Sequence, residues 1–111
     1  MEDIPDQPDL VVKSISDVPH DFTGIVYELE HKDYIWYLNG KIHRDDGPAI
    51  IHHTGSKFWW VNGKCHKLSG PASVWSGGTT VYYIHGVIHT QEEFYNNHLV
   101  VNFMVENIMK L

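Results

Sequence analysis

The chain has a single cysteine, Cys65, and no apolar run approaching the roughly 18 residues that cross a bilayer. An internal disulfide is therefore excluded, and no helical membrane span is expected. Basic residues are scarce: 8 Lys and Arg face 14 Asp and Glu, for a formal charge of -6. Affinity for nucleic acid rests mainly on neutralising phosphates, so this balance argues against a nucleic-acid binder. The first ten residues, MEDIPDQPDL, lack the basic start and apolar stretch of a secretory signal, which gives the expectation of a cytoplasmic protein. No phosphate-cradling Gly-rich motif opens a helix.

What the chain does have is a period. Trp36, Trp59 and Tyr82 recur at one fixed interval, as do Gly40, Gly63 and Gly86, and His20, His43, His66 and His89. Gly24, Gly47 and Gly70 follow the same lattice, and of the nine glycines only Gly77 lies off it. A repeat of this length marks stacked supersecondary units, each too small to bury its apolar face alone. Two full units, a truncated third and a preceding half unit make an array over residues 20–94 with atypical ends.

Within a unit, Tyr34 to Leu38, Phe58 to Val61 and Val81 to Ile84 are short, β-branched and aromatic, hence strands. Asn39-Gly40 and Asn62-Gly63 follow and suit left-handed turns. Thr54-Gly55 and Gly77-Gly78 mark a second turn, and Ala49 to His53 and Ala72 to Trp75 are the antiparallel partners. The expected fold class is mainly β: stacked antiparallel hairpins sealed by a C-terminal helix, in one domain. For that helix, residues 90–111, Thr90 and Glu93 form a capping box, and Val100, Met104 and Ile108 recur at helical spacing beside Val101 and Phe103.

The acidity is concentrated at the start. Residues 1–30 carry eight acids against Lys13 alone, so residues 1–19 are expected to form an acidic arm. It reads as a solvated segment, or as a lure for a basic site on a partner.

The run Asn39-Gly40-Lys41-Ile42-His43 and its copy Asn62-Gly63-Lys64-Cys65-His66, each preceded by aromatics, resemble the MORN repeat (membrane occupation and recognition nexus). The third copy, His85-Gly86-Val87-Ile88-His89, is degenerate. The chain departs from the family where Arg44 or Lys67 replaces the glycine expected after the histidine, and adds Gly47-Pro48-Ala49 and Gly70-Pro71-Ala72. In this form it is similar to MORN-like proteins of bacteria, tailed phages and large DNA viruses. The resemblance implies a curved sheet of stacked hairpins and no enzyme. It also implies a phage or viral accessory protein that binds and modulates or inhibits a host protein, and so acts in the host cytoplasm.

Candidate chemistry is sparse. His43, His66 and His89 occupy equivalent turns, but zinc needs ligands converging at about 2.0–2.3 Å, whereas stacked hairpins hold equivalent positions about 5 Å apart or more. Each histidine is expected to brace its own turn, and no metal or other cofactor is expected. Asp45-Asp46 is an acid pair that the next unit replaces with Leu68-Ser69, and Cys65 aligns with Ile42 and Ile88, as a small core residue would.

Alternation places Ile35 and Tyr37 on one face with Phe58, Trp60, Val81 and Tyr83, and Trp36 and Leu38 on the other with Trp59, Val61, Tyr82 and Ile84. Both faces are apolar, so one is core and the other is covered by the chain's own ends or by a partner. The partner-binding residues expected are Tyr37, Trp60, Tyr83 and Trp75, rimmed by Arg44, Asp45 and Lys67. Read one residue out of phase, the exposed row is Trp36, Trp59 and Tyr82. A homo-oligomeric subunit or scaffold is the alternative. Nucleic-acid binding through Lys41, Arg44, Lys57, Lys64 and Lys67 is a weaker one.

Overall fold

The sheet starts before the repeats do. In the computed structural model, which describes residues 4–110, Leu10–Val12 of the acidic arm (β1) lies parallel to Gly24–Glu28 (β2). Asp9 anchors the join: its N–H donates to Ile25 O and its carboxylate accepts from Ile25 N, both at 2.7 Å. The acidic arm is therefore not simply a solvated tail, because Val12 is buried against the first hairpin. Met1, Glu2 and Asp3 of that arm, and Leu111 of the expected helix, lie outside the described residues.

From β2 the chain runs antiparallel into Asp33–Leu38 (β3), which turns into the short return strand Lys41–Ile42 (β4). Ile50–His52 (β5) then pairs with β3 and with Lys57–Phe58 (β6). The expected strand Phe58 to Val61 is two strands. At Trp59 the chain leaves the main ladder, and Trp60–Val61 (β7) pairs instead with its own return strand Lys64–Cys65 (β8). Ser73–Val74 (β9), Thr80–Ile84 (β10) and Val87–His89 (β11) complete the order β1-β2-β3-β5-β6-β9-β10-β11, with β4 beside β3 and β7-β8 as a separate pair. Each unit thus holds two hairpins rather than one: the Asn-Gly type turn also closes a ladder, through a short return strand.

The three return turns share one geometry. Residues 39 and 40, 62 and 63, and 85 and 86 have φ of 51 and 81, 51 and 80, and 50 and 83 degrees. This is the left-handed pair of a two-residue hairpin loop, whose twist matches that of the strands it joins. At Gly40 a second reason requires glycine, because a Cβ there would collide with the backbone carbonyl of His20. Ala49 and Ala72, from the Gly-Pro-Ala copies, are fully buried where neighbouring units cross. Each bridges two strands: Trp36 N donates to Ala49 O and Ala49 N to Phe58 O, and Trp59 N to Ala72 O and Ala72 N to Val81 O.

The capping box forms as the sequence predicts, with Thr90 Oγ1 accepting from Glu93 N and Glu93 accepting from Thr90 N. The expected single helix is divided, however. Gln91–Asn96 (α1) ends at Asn97, whose extended backbone breaks the helix and whose side chain caps His98–Met109 (α2) by accepting from Leu99 N at 2.8 Å. The bend lets both helices reach one cluster, in which Ile84, Phe94 and Val100 are buried with Leu68, Tyr82 and Met104 around them. Ile108, expected on the sealing face, is 65 % exposed and lies outside the cluster that Val100 and Met104 join. No helix among the described residues is long and apolar enough to cross a membrane.

This packing sets the cost of two kinds of substitution. Phe94→Ala should cost about 3–5 kcal/mol, since it empties the centre of the end cluster. Gly40→Ala should cost well over the ~1 kcal/mol of a left-handed alanine, whereas Gly63→Ala, whose Cβ would sit 3.7 Å from the Lys41 side chain, should cost close to that figure. Urea unfolding of the three variants checks both.

Candidate functional site

A two-residue left-handed turn points two N–H groups away from its own hairpin, where a neighbouring segment can accept them. Here the preceding unit supplies the acceptors. Gly40 N donates to Phe22 O, Gly63 N to Ile42 O and Gly86 N to Cys65 O, each at 2.8 Å. The neighbouring N–H groups go to side chains: Asn39 N to Thr23 Oγ1 at 2.8 Å, Asn62 N to His43 Nδ1 at 3.0 Å and His85 N to His66 Nδ1 at 2.9 Å. The periodic histidines therefore brace the next unit's turn and not their own. Thr23 takes this part in the first unit, and His20, on the lattice, is exposed. His89 has no turn after it, and its Nδ1 instead donates to Val87 O at 2.9 Å.

Accepting at Nδ1 leaves the proton of His43 and His66 on Nε2. For His43 that N–H faces Asp45 Oδ1 at 3.0 Å. Asp46 turns instead to Arg44 Nε, at 2.9 Å, and the guanidinium holds its carboxyl below the usual range. The adjacent acids thus serve two different partners. Cys65 is half-buried near Ala72 O and Ser73 Oγ, and burial raises its thiol pKa, the reverse of what a thiolate nucleophile requires.

The splayed hairpins leave a groove of about 530 Å3 against the main sheet. Ile50, Phe58 and Ser73 contribute from the sheet, and Trp60, Cys65 and Tyr83 from the hairpins, with Lys64 and Asp33 its charged residues. Of the expected partner-binding residues, Trp60 and Tyr83 come together here. Trp75 does not line the groove; 48 % exposed, it packs edge-on against the lining residue Phe58 with centroids 5.0 Å apart. Tyr37 does not line the groove, because Phe22 packs edge-on against it. Burial, and then the charge of Glu28, raise the Tyr37 phenol pKa.

Arg44, Asp45 and Lys67 do not rim this groove. They border a second hollow of about 370 Å3 with Trp59, His66 and Phe103. The Arg44 guanidinium lies over the Trp36 ring at 4.2 Å, and Lys67 Nζ over Trp59 at 3.6 Å. Each cation covers one face of its indole, a face that a stacked base would need. The same packing buries Lys67 enough to lower its pKa. Both positions are those where the repeat carries a base after the histidine, so the cation–π pair is a property of the unit. Gly47 leaves room for it, since a Cβ there would lie 2.8 Å from the Arg44 guanidinium carbon.

One cluster escaped sequence reasoning. Glu28, His31 and Asp33 bring potential ligand atoms within 4.8 Å of one another at the first hairpin turn. Its signal is a local break in the lattice: the equivalent positions of the next unit hold Ile51, Thr54 and Ser56. Compared with protein-family models, curated proteins and solved structures, the chain matches none.

His66 should contribute to loss of stability in acid. Burial, and secondarily His85 stacked on it at 4.1 Å, lower its pKa from the ordinary imidazole value. As pH falls below about 6.5, the unfolded chain takes up a proton that the folded chain refuses, so stability declines until the folded-state pKa is passed. His66→Asn, which keeps an acceptor near the Nδ1 position without titrating, should lose less stability between pH 7.5 and 5 than the wild type. Urea melts across that range test this, and equal losses would rule His66 out as a contributor.

Proposed function

We propose that the chain is a non-enzymatic, MORN-like protein-binding module whose curved array of hairpins presents the aromatic groove to a partner protein. The observation that carries this reading is the convergence of Trp60, Tyr83 and Phe58 in one mostly apolar groove beside the exposed Trp75. Rigid aromatic side chains in a concave, desolvated setting are where interfaces gather most of their energy. The resemblance of the Asn-Gly-Lys-X-His units to MORN-like proteins of phages and viruses supports a host protein as that partner, met in the host cytoplasm and modulated by occupancy rather than by chemistry. The pairing of Asp45 and Asp46 with separate bases, and the raised Cys65 pKa, are in keeping with a binding role.

Affinity capture from host lysate tests this reading. Trp60→Ala with Tyr83→Ala should lose a partner that the wild type retains, while circular dichroism shows the variant still folded at the temperature of the capture. Each truncated anchor should weaken binding by about 2 kcal/mol, roughly 30-fold. Equal recovery by both proteins would refute the groove as the binding face.

A homo-oligomeric reading has its own support in α2. Val101, Val105, Ile108 and Met109 form an exposed apolar stripe, 42 % to 81 % accessible. Val105→Asp should then convert an oligomer to a monomer in sedimentation velocity, and a monomeric wild type would dispose of this alternative.

A further inference from the structure

The first unit carries a charged group where burial is complete. Glu28 ends β2 with its side chain 1 % exposed, and its Oε2 is buried with no hydrogen-bond partner among the described residues. Its Oε1 accepts from His31 N at 3.0 Å and lies 3.1 Å from His31 Nδ1. Directly opposite on β3 stands Asp33, a second carboxylate, so the strand register sets like charges face to face. A buried carboxylate with an orphan oxygen and an acidic neighbour is costly unless a cation joins it.

We infer that Glu28, His31 and Asp33 bind a divalent transition-metal ion of the zinc type. Two carboxylates and an imidazole are a donor set such ions accept, and it leaves a fourth position open. Tetrahedral ligands at about 2.0–2.1 Å from zinc lie about 3.4 Å from each other. The Glu28–His31 separation of 3.1 Å already approaches that value, and all three donors fit within 4.8 Å. The ion takes the unprotonated Nδ1 of His31, which leaves the ring proton on Nε2. The orphan Oε2 belongs to the same carboxyl group and gains a cation beside it.

An outer partner is in place as well. His52, opposite Asp33 on β5, sets its Nδ1 2.6 Å from Asp33 Oδ1 and so fixes the orientation of that carboxylate. Hydrogen bonds of this kind hold ligands in position around metal ions. The turn that carries His31 is shaped for it by Lys32, whose φ of 60 degrees is left-handed without being glycine. None of this serves the repeat as such, since Ile51, Thr54 and Ser56 occupy the equivalent positions one unit later. The ion site needs no occupant in the groove, although Asp33 borders both.

Titration of the purified full chain with Zn2+ by calorimetry tests the assignment. The wild type should bind one Zn2+ per chain in the micromolar range or tighter and should unfold at higher temperature when loaded. His31→Ala, at a side chain 66 % exposed and therefore safe for folding, should weaken binding at least tenfold and abolish the thermal shift. Asp33→Asn should do the same, while His53→Ala should change neither. Loading with Co2+ should give visible d–d bands that His31→Ala removes. Failure of the wild type to bind would overturn the proposal. Binding undiminished in His31→Ala and Asp33→Asn would overturn it equally, by assigning the ion to other histidines.

Discussion

Left-handed hairpin loops direct two N–H groups away from the ladder they close, and the architecture of this chain follows from where those groups go. In all three return turns one N–H meets a backbone carbonyl of the preceding unit and the other meets a side-chain acceptor, Thr23, His43 or His66. None of these three return hairpins satisfies both N–H groups of its own turn, so each is completed by its predecessor. The first and last units must then differ from the rest. β1 and Thr23 supply the entry, and the helices α1 and α2 close the exit over Ile84.

The same splaying that ties turn to turn decides what each aromatic row does. Trp59 donates to the main ladder through Ala72 O, and beyond it Trp60 joins β8 and opens the groove. The opposite row is closed by Arg44 and Lys67, each laid on an indole of its own unit. One row is thus stabilised from within the repeat, and the other is left concave. Which side stays open needs no special residue, only the unequal covering of two similar faces. The first unit adds a separate chemistry, because its hairpin turn carries Glu28, His31 and Asp33 instead of an aliphatic and two hydroxyls.

Much of this was legible in the linear pattern. The Asn-Gly turns, the strands around Trp36 and Tyr82 and the Thr90–Glu93 capping box depend on local preferences, and they appear where the sequence predicts them. Misreadings arose where a residue's partner is remote. Nothing near His43 announces that its ring accepts from Asn62, in the turn of the next unit. The division of Phe58 to Val61 into two strands depends on which neighbour each backbone group finds, Ser73 or Cys65. The helix break at Asn97 lies in an unbroken polar and apolar run, and it is there because both halves must reach the same cluster.

Of the candidate groove, Trp60 and Tyr83 were legible as one face of alternating strands, since β-periodicity is a local property. That Tyr37 is closed off by Phe22, and that Arg44 and Lys67 stack on the opposite row, depends on contacts between segments that no periodicity encodes. The sequence by itself determined the unit: its length, its turns, its strand faces and the fact that it must stack. Only the tertiary structure decided which face stays open, which donors the histidines serve and that Glu28 is buried beside Asp33. Backbone preference acts over a few residues, whereas burial and hydrogen-bond pairing are settled only when units meet.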